Sequence, residues 1–154
     1  MDSEDLTRWR DKLERYCAYQ ERCAYDVKQK MNTMKIPLDI QTELLAELKE
    51  QKFIDDERYA LSYLRSKVNF KKDGIQKIKF ALSQKKIDAN IIDLALQEID
   101  RTLYQENISK LIEKKWKTLI EKNELKDAKG KLMRYLMSKG YKYDEFKTYL
   151  HFLT

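Results

Sequence analysis

The residue types that perform covalent or metal chemistry are scarce in this sequence. It contains two cysteines, Cys17 and Cys23, and a single histidine, His151. If both cysteines lie on one helix, their six-residue separation turns the thiols to opposite faces, so a disulfide between them would need a break in that helix. These three residues do not make a typical zinc-binding set. We therefore interpret both cysteines as reduced, partly packed thiols.

Enzyme motifs are also missing. The sequence has neither the GxxxxGK[ST] loop that holds nucleotide phosphates nor the GxGxxG loop of dinucleotide-binding proteins. Its carboxylates fall on predicted helix surfaces and near helix starts, where capping and the helix dipole account for them. Because no nucleophile can be paired with a base, we expect no enzyme activity, no cofactor and no metal. Binding is the remaining class of function.

Lysine and arginine are the residues that suggest binding. The net charge is +6, and residues 61–90 contain eight bases and two acids, while residues 114–154 contain eleven bases and five acids. Such clustering favours a phosphate-rich partner, whereas solvated surface charge is the ordinary alternative. Nine bases are our candidate contacts to a nucleic acid or a nucleoprotein filament: Arg65, Lys67, Lys71, Lys72, Lys77, Lys79, Lys131, Arg134 and Lys139.

The elements that carry these bases are predicted to be helices that repeat along the chain. Three glycines and one proline are too few for a many-turned β fold. A shift of 54 residues aligns the spaced apolar residues of 78–99 with those of 132–153, and a shift of 51 aligns them with those of 27–48. Only Gln41 breaks the pattern, and Ile40 beside it can substitute.

Each repeat is predicted to contain three helices, with a turn at KIPLD, KKIDA or KGYKY before the third. Pro37 lies where a helix should start and Gly140 where one should end. We predict an all-α protein of three tandem three-helix repeats, residues 1–52, 53–100 and 101–154. Because one repeat buries little core alone, the three are expected to stack into an elongated, curved body.

Three-helix units also suggest helix–turn–helix reading of DNA, but the charges argue against it. A recognition helix enters a groove walled by phosphates, and the third helices of the first two repeats are acidic. Their acids are Asp39, Glu43, Glu47, Glu50, Asp93, Glu98 and Asp100. The bases lie on other helices, which favours contact with an extended nucleic-acid backbone over reading of base edges.

Phe80 lies on a predicted helix at 73–86, nearly opposite the apolar stripe of that helix. Two interpretations stay open for it. The side chain packs against an adjacent repeat, or it contacts a partner or a nucleobase.

The segment FIDDERYALSYLRSK, residues 53–67, opens with acids and closes with bases. Asp55 or Asp56 can cap the start of a helix and complement its dipole. Four residues recur on one side of that helix and are predicted to be core: Tyr59, Ala60, Tyr63 and Leu64.

This segment resembles the signature of the RecX family of bacterial recombination regulators. The family pattern has an apolar pair, Asp-Asp, an aromatic–Ala step, an aromatic–aliphatic step and a base, and all five occur here. IQKIKFALSQKKIDANIIDLAL resembles the central repeat of the family, although Lys86 stands where glycine is usual. GKLMRYLMSKGYKYDEFKTYL resembles the last repeat, with Gly140 in place, and CAYDVKQKM resembles part of the first.

The resemblance implies three tandem three-helix repeats and a protein without a catalytic site. It implies binding of RecA–DNA filaments and inhibition of the ATPase, strand-exchange and SOS activities of RecA, with single-stranded DNA as a further contact through the basic faces. Two alternatives stay open, a helical nucleic-acid-binding protein without a RecA partner and a protein–protein adaptor. Salt-dependent DNA binding distinguishes the first from the second.

The ends of the sequence bear on location. The start, MDSEDL, is acidic and unlike a secretory signal. The longest run without a charge, TYLHFLT, is far shorter than the ~20 residues of a membrane span. We expect a cytoplasmic monomer with no membrane association.

Overall fold

The described part of the chain is helical throughout. The computed structural model describes residues 3–151 and 153, which contain nine α-helices, one π-helical segment and no β-strand. The helices follow one another in three sets of three, so the predicted all-α fold of tandem three-helix repeats is confirmed. The elements are α1 (Ser3–Tyr19), α2 (Ala24–Thr33), α3 (Leu38–Glu50), α4 (Asp56–Ser66), the π-helical segment (Lys67–Lys71), α5 (Ile75–Gln84), α6 (Ala89–Leu96), α7 (Arg101–Glu121), α8 (Ala128–Ser138) and α9 (Tyr143–Leu150).

The second helix of each set buries the apolar residues that repeat in the sequence. Residues four apart on a helix share one face, and that face is buried in all three helices. The equivalent residues are Val27 and Met31 in α2, Ile78 and Leu82 in α5, and Leu132 and Leu136 in α8. The sequence shifts of 51 and 54 residues therefore relate positions with the same structural role.

Position 41 departs from the prediction. Gln41 itself is buried, at the position that Phe146 fills in the third repeat, while Ile40 is only partly buried. The side-chain amide of Gln41 donates to the carbonyl oxygen of Ile36 at 2.8 Å and to Oδ1 of Asn32 at 3.0 Å. These acceptors offset the cost of burying a polar group. Gln41 therefore occupies the core position itself, while Ile40 packs against the core from a partly buried position.

Each second helix is followed by a residue with left-handed backbone. The φ angle is 58° at Lys35, 58° at Lys86 and 103° at Gly140. Helices commonly end in this conformation, for which glycine is the favoured residue because it has no Cβ. Gly140 thus ends α8 as predicted. The left-handed angle of Lys86 accounts for a preference for glycine at its position.

The chain clusters into two compact units. The first comprises Met1–Ser62 with Leu82–Asp93, and the second comprises Tyr63–Ala81 with Leu94–Thr154. In the first unit α2 packs against α1 and α3. The core there consists of Leu13, Cys17, Ala24, Val27, Met31, Ile36, Leu44, Leu48 and Ile54. In the second unit α7 packs against α8, α9 and the π-helical segment. The repeat boundaries stated above stay a prediction.

The two cysteines do not share a helix. α1 ends at Tyr19 and Cys23 immediately precedes α2, so the helix is interrupted between the two thiols. Both are buried, and within the described residues neither forms a disulfide. Burial raises the pKa of the Cys17 thiol and raises that of Cys23 to about 11. At neutral pH both are therefore protonated, poorly nucleophilic thiols.

Candidate filament-binding surface

All nine predicted contact residues belong to the second unit. Six of them lie between positions 65 and 79, on consecutive elements, and three lie on or directly after α8. By element they are Arg65 in α4, Lys67 and Lys71 in the π-helical segment, Lys72 after it, Lys77 and Lys79 in α5, Lys131 and Arg134 in α8, and Lys139 directly after α8.

The π-helical segment is held in place by side chains from the third repeat. The last carbonyl groups of a helix lack partners within the helix, and here three side chains donate to them. Asn107 Nδ2 donates to the carbonyl of Val68 at 2.8 Å, Lys139 Nζ to that of Lys71 at 2.8 Å, and the Tyr141 hydroxyl to that of Lys72 at 2.6 Å. The lysines of this segment therefore project from a fixed backbone.

The start of α5 is completed by the same repeat. The N–H of Gly74 donates to the carbonyl of Lys139 at 2.7 Å, that of Ile75 to the hydroxyl of Tyr104 at 2.9 Å, and that of Gln76 to the carbonyl of Gly140 at 3.0 Å. These donors have no partner within α5, so the contacts satisfy them. We call this set of contacts, together with Asp73, the Gly140 junction.

Two glycines permit the close approach at the Gly140 junction. A Cβ on Gly74 would lie 2.3 Å from the carbonyl carbon of Gly140. A Cβ on Gly140 would lie 2.6 Å from the Cβ of Lys77. Both distances are shorter than non-bonded carbon atoms tolerate, so any side chain at either position would push the two backbones apart.

Asp73 is a buried acid at this junction and is shared by two lysines. Its Oδ1 lies 3.2 Å from Nζ of Lys139 and 3.7 Å from Nζ of Lys77. The side chain of Lys139 is only 22% exposed, so its charge serves the junction and is poorly placed for an external phosphate. Burial, reinforced by the negative charge of Asp73, raises the pKa of Tyr141, whose hydroxyl stays protonated and able to donate.

The two bases within α8 form exposed ion pairs. Arg134 Nη2 lies 3.0 Å from Oδ2 of Asp127, and Lys131 Nζ lies 3.7 Å from Oε2 of Glu124. Exposed pairs of this kind contribute at most about 1 kcal/mol, so a phosphate group can replace either acid.

Five of the nine bases are not held by a carboxylate of the described residues, and of these Arg65, Lys71 and Lys79 are exposed while Lys67 and Lys72 are half-buried. Four have no side-chain hydrogen bond or ion pair within residues 3–151 and 153, and a fifth, Lys67, has its Nζ 5.3 Å from the centroid of the Tyr63 ring. Ammonium and guanidinium groups in this state bind phosphate or carboxylate oxygens through charge-assisted hydrogen bonds. We call these five the accessible cationic set: Arg65, Lys67, Lys71, Lys72 and Lys79.

Two exposed phenylalanines lie in the same stretch of chain. Phe70 is 79% exposed and Phe80 is 66% exposed. The packing interpretation of Phe80 is therefore wrong, and its contact with a partner stays a prediction. Sequence reasoning misses Phe70. The signal that could find it is its place in SKVNFKK, between Lys67 and the pair at 71–72.

The acidic pair of the 53–67 segment caps two different helices. Oδ1 of Asp55 accepts the N–H of Arg58 at 3.1 Å, which caps α4 as predicted. Oδ1 of Asp56 accepts the N–H of Ala24 at 2.9 Å, which completes the start of α2. The predicted core residues are buried at Tyr59, Ala60 and Leu64 and partly buried at Tyr63. This segment therefore builds structure.

An ion pair reinforces the start of α2. Lys85 Nζ lies 2.6 Å from Oδ1 of Asp26, and the hydrogen bond to this carboxylate raises the pKa of Lys85. We call the contacts of Lys85 with Asp26 and of Asp56 with Ala24 the Lys86 junction, after the left-handed residue beside Lys85.

Comparison with known proteins decides the family. A model described as "RecX, second three-helix domain" matches residues 55–96, and one described as "RecX, third three-helix domain" matches residues 103–150. The chain belongs to the RecX family. It is 42% identical over 106 residues to the regulatory protein RecX of Clostridium tetani, covering 68% of this chain and 48% of that protein. It is 32% identical over 133 residues to that of Streptococcus sanguinis, covering 86% and 50%.

Solved RecX structures share the fold. The crystal structure of RecX from Lactobacillus salivarius has a TM-score of 0.84 at 28% identity and covers 97% of both chains. A second RecX crystal structure has a TM-score of 0.82 at 26% identity, covering 92% of this chain and 70% of that one. The chain spans about half the length of the curated RecX relatives it matches. Since those relatives are named regulatory proteins, membership of the RecX family supports a regulatory role.

The described residues of this RecX-family chain meet neither the requirements of a membrane span nor those of a metal site. Among the helices of the described residues, none combines the length and hydropathy needed to cross a bilayer. Over the same residues, no group of three or more His, Cys, Asp or Glu side chains could hold a metal ion.

Proposed function

We propose that this RecX-family protein is a non-enzymatic regulator that binds RecA–DNA filaments and inhibits ATP hydrolysis and strand exchange by RecA, and so dampens recombination and the SOS response. Its relatives carry the name regulatory protein RecX. The observation that carries the proposal is the accessible cationic set, held on one braced stretch of backbone. A filament of protein and DNA offers phosphates and acidic side chains to such a surface.

The nine bases take different parts in the proposed contact. The accessible cationic set provides the principal contacts to phosphate or carboxylate groups. Lys131 and Arg134 contribute by exchanging weak exposed ion pairs for the partner. Lys77 contributes through its exposed side chain, whose pair with the buried Asp73 is long at 3.7 Å. Lys139 acts mainly by holding the Gly140 junction, and thereby the backbone that presents the others. The protein is proposed to act in the bacterial cytoplasm as a monomer, with single-stranded DNA as its nucleic-acid contact and with no cofactor.

RecA-dependent ATP hydrolysis on single-stranded DNA tests this function. The protein should lower the steady-state rate in a concentration-dependent way. The double variant Lys72→Glu with Lys79→Glu should need at least about tenfold more protein for the same inhibition, because attraction to the filament becomes repulsion. Its helical circular dichroism should not change, since Lys72 and Lys79 have no ion pair in the described chain.

A matched control is available in the first unit. Lys28 and Lys49 are exposed and have no ion pair in the described part of the chain, so Lys28→Glu with Lys49→Glu makes the same change in net charge. The control should inhibit like the wild type. An unchanged ATPase rate at excess wild-type protein contradicts the proposed function. If the Lys72→Glu, Lys79→Glu variant inhibits as strongly as the wild type, this surface takes no part in the proposed function.

Single-stranded DNA binding without a RecA partner is the second candidate, and the exposed Phe70 among lysines favours it. In that case the logarithm of the DNA-binding constant should fall by about 0.7 per tenfold rise in salt concentration for each phosphate contacted. The rate of ATP hydrolysis by RecA should stay unchanged. A protein–protein adaptor would show no DNA binding even at low salt.

A further inference from the structure

Phe70 is an exposed aromatic side chain in an unusual setting. It is 79% exposed on the π-helical segment, and the residues around it in sequence are Lys67, Lys71 and Lys72. Exposing a phenylalanine to water forfeits about 1.5–3 kcal/mol relative to burying it, so a position that keeps one exposed invites a functional explanation. π-helical turns of this kind occur frequently at functional sites.

The backbone beneath Phe70 is braced on both sides. The carbonyl of Val68 accepts a hydrogen bond from Asn107, and the carbonyl of Lys71 accepts one from Lys139. Asn107 is itself buried, so this support lies inside the second unit. A side chain on such a backbone is preorganised, which reduces the ordering that a ligand must impose on binding.

Phe80 is the most similar residue, since it is 66% exposed and lies directly after Lys79. Other exposed apolar residues are set differently. Tyr19 is 83% exposed in a stretch whose nearest charged residues are Glu21 and Arg22, and Leu38 is exposed beside Asp39. Phe70 differs from Phe80 in having two lysines directly after it, Lys71 and Lys72, which have no side-chain partners within the described residues. An aromatic face next to unpaired cations matches the two parts of a nucleotide, a planar base and a phosphate.

We propose that Phe70 is a stacking platform for an unpaired base of single-stranded DNA, while Lys71 and Lys72 contact the adjoining phosphates. Duplex DNA fits less well, because its bases are already stacked and the ring would have to wedge between them. Every base offers a π-face, so the contact tolerates any sequence. This inference rests on the proposed nucleic-acid contact of the cationic surface and assigns its base-binding residue.

Fluorescence anisotropy with two labelled oligonucleotides tests the stacking. One is oligothymidylate of about 16 nucleotides, and the other has the same length with abasic sites throughout, so the phosphates are equal and only the bases differ. The wild type should bind oligothymidylate more tightly than the abasic strand. Phe70→Ala should lower affinity for oligothymidylate by about 5- to 100-fold and leave abasic affinity unchanged, so the preference disappears.

Two further variants complete the design. Phe70→Tyr keeps an aromatic face and should retain most of the preference for bases. Tyr19→Ala removes an equally exposed ring from the first unit and should have no effect on either oligonucleotide. Since Phe70 and Tyr19 are both exposed, neither truncation opens a cavity in the core, and circular dichroism should be unchanged.

Three outcomes overturn the proposal. The first is a wild type that binds both oligonucleotides equally well. The second is a Phe70→Ala variant whose binding to both oligonucleotides is weakened by the same factor. The third is a Phe70→Ala variant that binds DNA normally but no longer inhibits RecA. The last result would place Phe70 against a protein surface of the filament and would leave the proposed function standing. Failure of the proposed function itself appears separately, as a RecA ATPase rate that wild-type protein does not change.

Discussion

The Lys86 and Gly140 junctions connect corresponding helices by different means. Each joins the end of the second helix of one repeat to the start of the second helix of the repeat before it. At the Lys86 junction the contacts come from side chains. Asp56 accepts the N–H of Ala24, and Lys85 pairs with Asp26.

At the Gly140 junction the backbones themselves meet. The carbonyl groups of Lys139 and Gly140 accept the N–H groups of Gly74 and Gln76. Side chains add to this, since Lys139 also pairs with the buried Asp73. The equivalent lysines 85 and 139 thus have a carboxylate partner in both junctions, but only the second junction adds backbone hydrogen bonds to it.

The residue that follows the lysine accounts for part of the difference, and the glycine at position 74 for the rest. A Cβ on Gly140 would overlap the Cβ of Lys77, so the close approach exists only because glycine has none. Lys86 holds the same left-handed conformation, but its Cβ and side chain occupy the space that a facing backbone would need for direct contact. Gly74 and Gly140 together therefore allow this junction to be built from backbone, whereas Cys23 and Lys86 hold the equivalent positions of the junction that is built from side chains.

The largest effect is expected for Gly140→Ala. The new methyl group meets Lys77, and alanine is strained at φ of 103°, so the free energy of unfolding should fall by roughly 2–4 kcal/mol in urea denaturation. Gly130→Ala is the control, because the atoms nearest to its Cβ would belong to the side chain of Asp127, which can move, and alanine favours a helix. A Gly140→Ala protein as stable as the wild type would contradict the backbone account of this junction.

An intermediate effect is expected from removing the two equivalent lysines. Lys139→Met leaves the buried Asp73 with one distant lysine and should cost about 2 kcal/mol of unfolding free energy. Lys85→Met should cost about 1 kcal/mol, because the Lys85 side chain is more exposed and water screens its pair with Asp26. Lys79→Met, at an exposed position without a partner in the described residues, should be neutral. If Lys85→Met lowered the free energy of unfolding more than Lys139→Met, the Lys86 junction would depend on its ion pair more than the Gly140 junction does.

The smallest effect is expected for Lys86→Gly. Glycine relieves the left-handed strain at φ of 58°, so the free energy of unfolding should rise by about 0.5–1 kcal/mol. Lys79→Gly, in the middle of α5, should instead lower it by about 1 kcal/mol. Loss of stability in Lys86→Gly would mean that the lysine side chain contributes a contact that outweighs its strain.

Features of this fold that arise locally could be predicted from the sequence. Apolar residues at fixed spacing identify the buried faces of the helices because burial drives helix packing, and Val27, Ile78 and Leu132 lie where the repeat places them. Asp55 as a helix cap and Gly140 as a helix end follow equally from local backbone requirements.

Features that depend on distant partners could not be predicted in this way. Lys139 resembles any surface lysine in sequence, and only the fold brings it to Asp73 and the carbonyl of Lys71. Gln41 looks like a defect in an apolar pattern until the carbonyl of Ile36 is seen to accept its amide. No local rule predicts that the chain after Ser66 widens into a π-helical turn.

The direction of the Gly140 junction has a consequence for synthesis of the chain. Translation delivers α5 before α7 and α8, yet the N–H groups of residues 74–76 find their acceptors at residues 104, 139 and 140. Until those later residues have left the ribosome, these N–H groups can donate hydrogen bonds only to water. The middle of the nascent polypeptide is therefore completed only by residues that are synthesised later, and a product terminated before residue 139 would keep an open helix start.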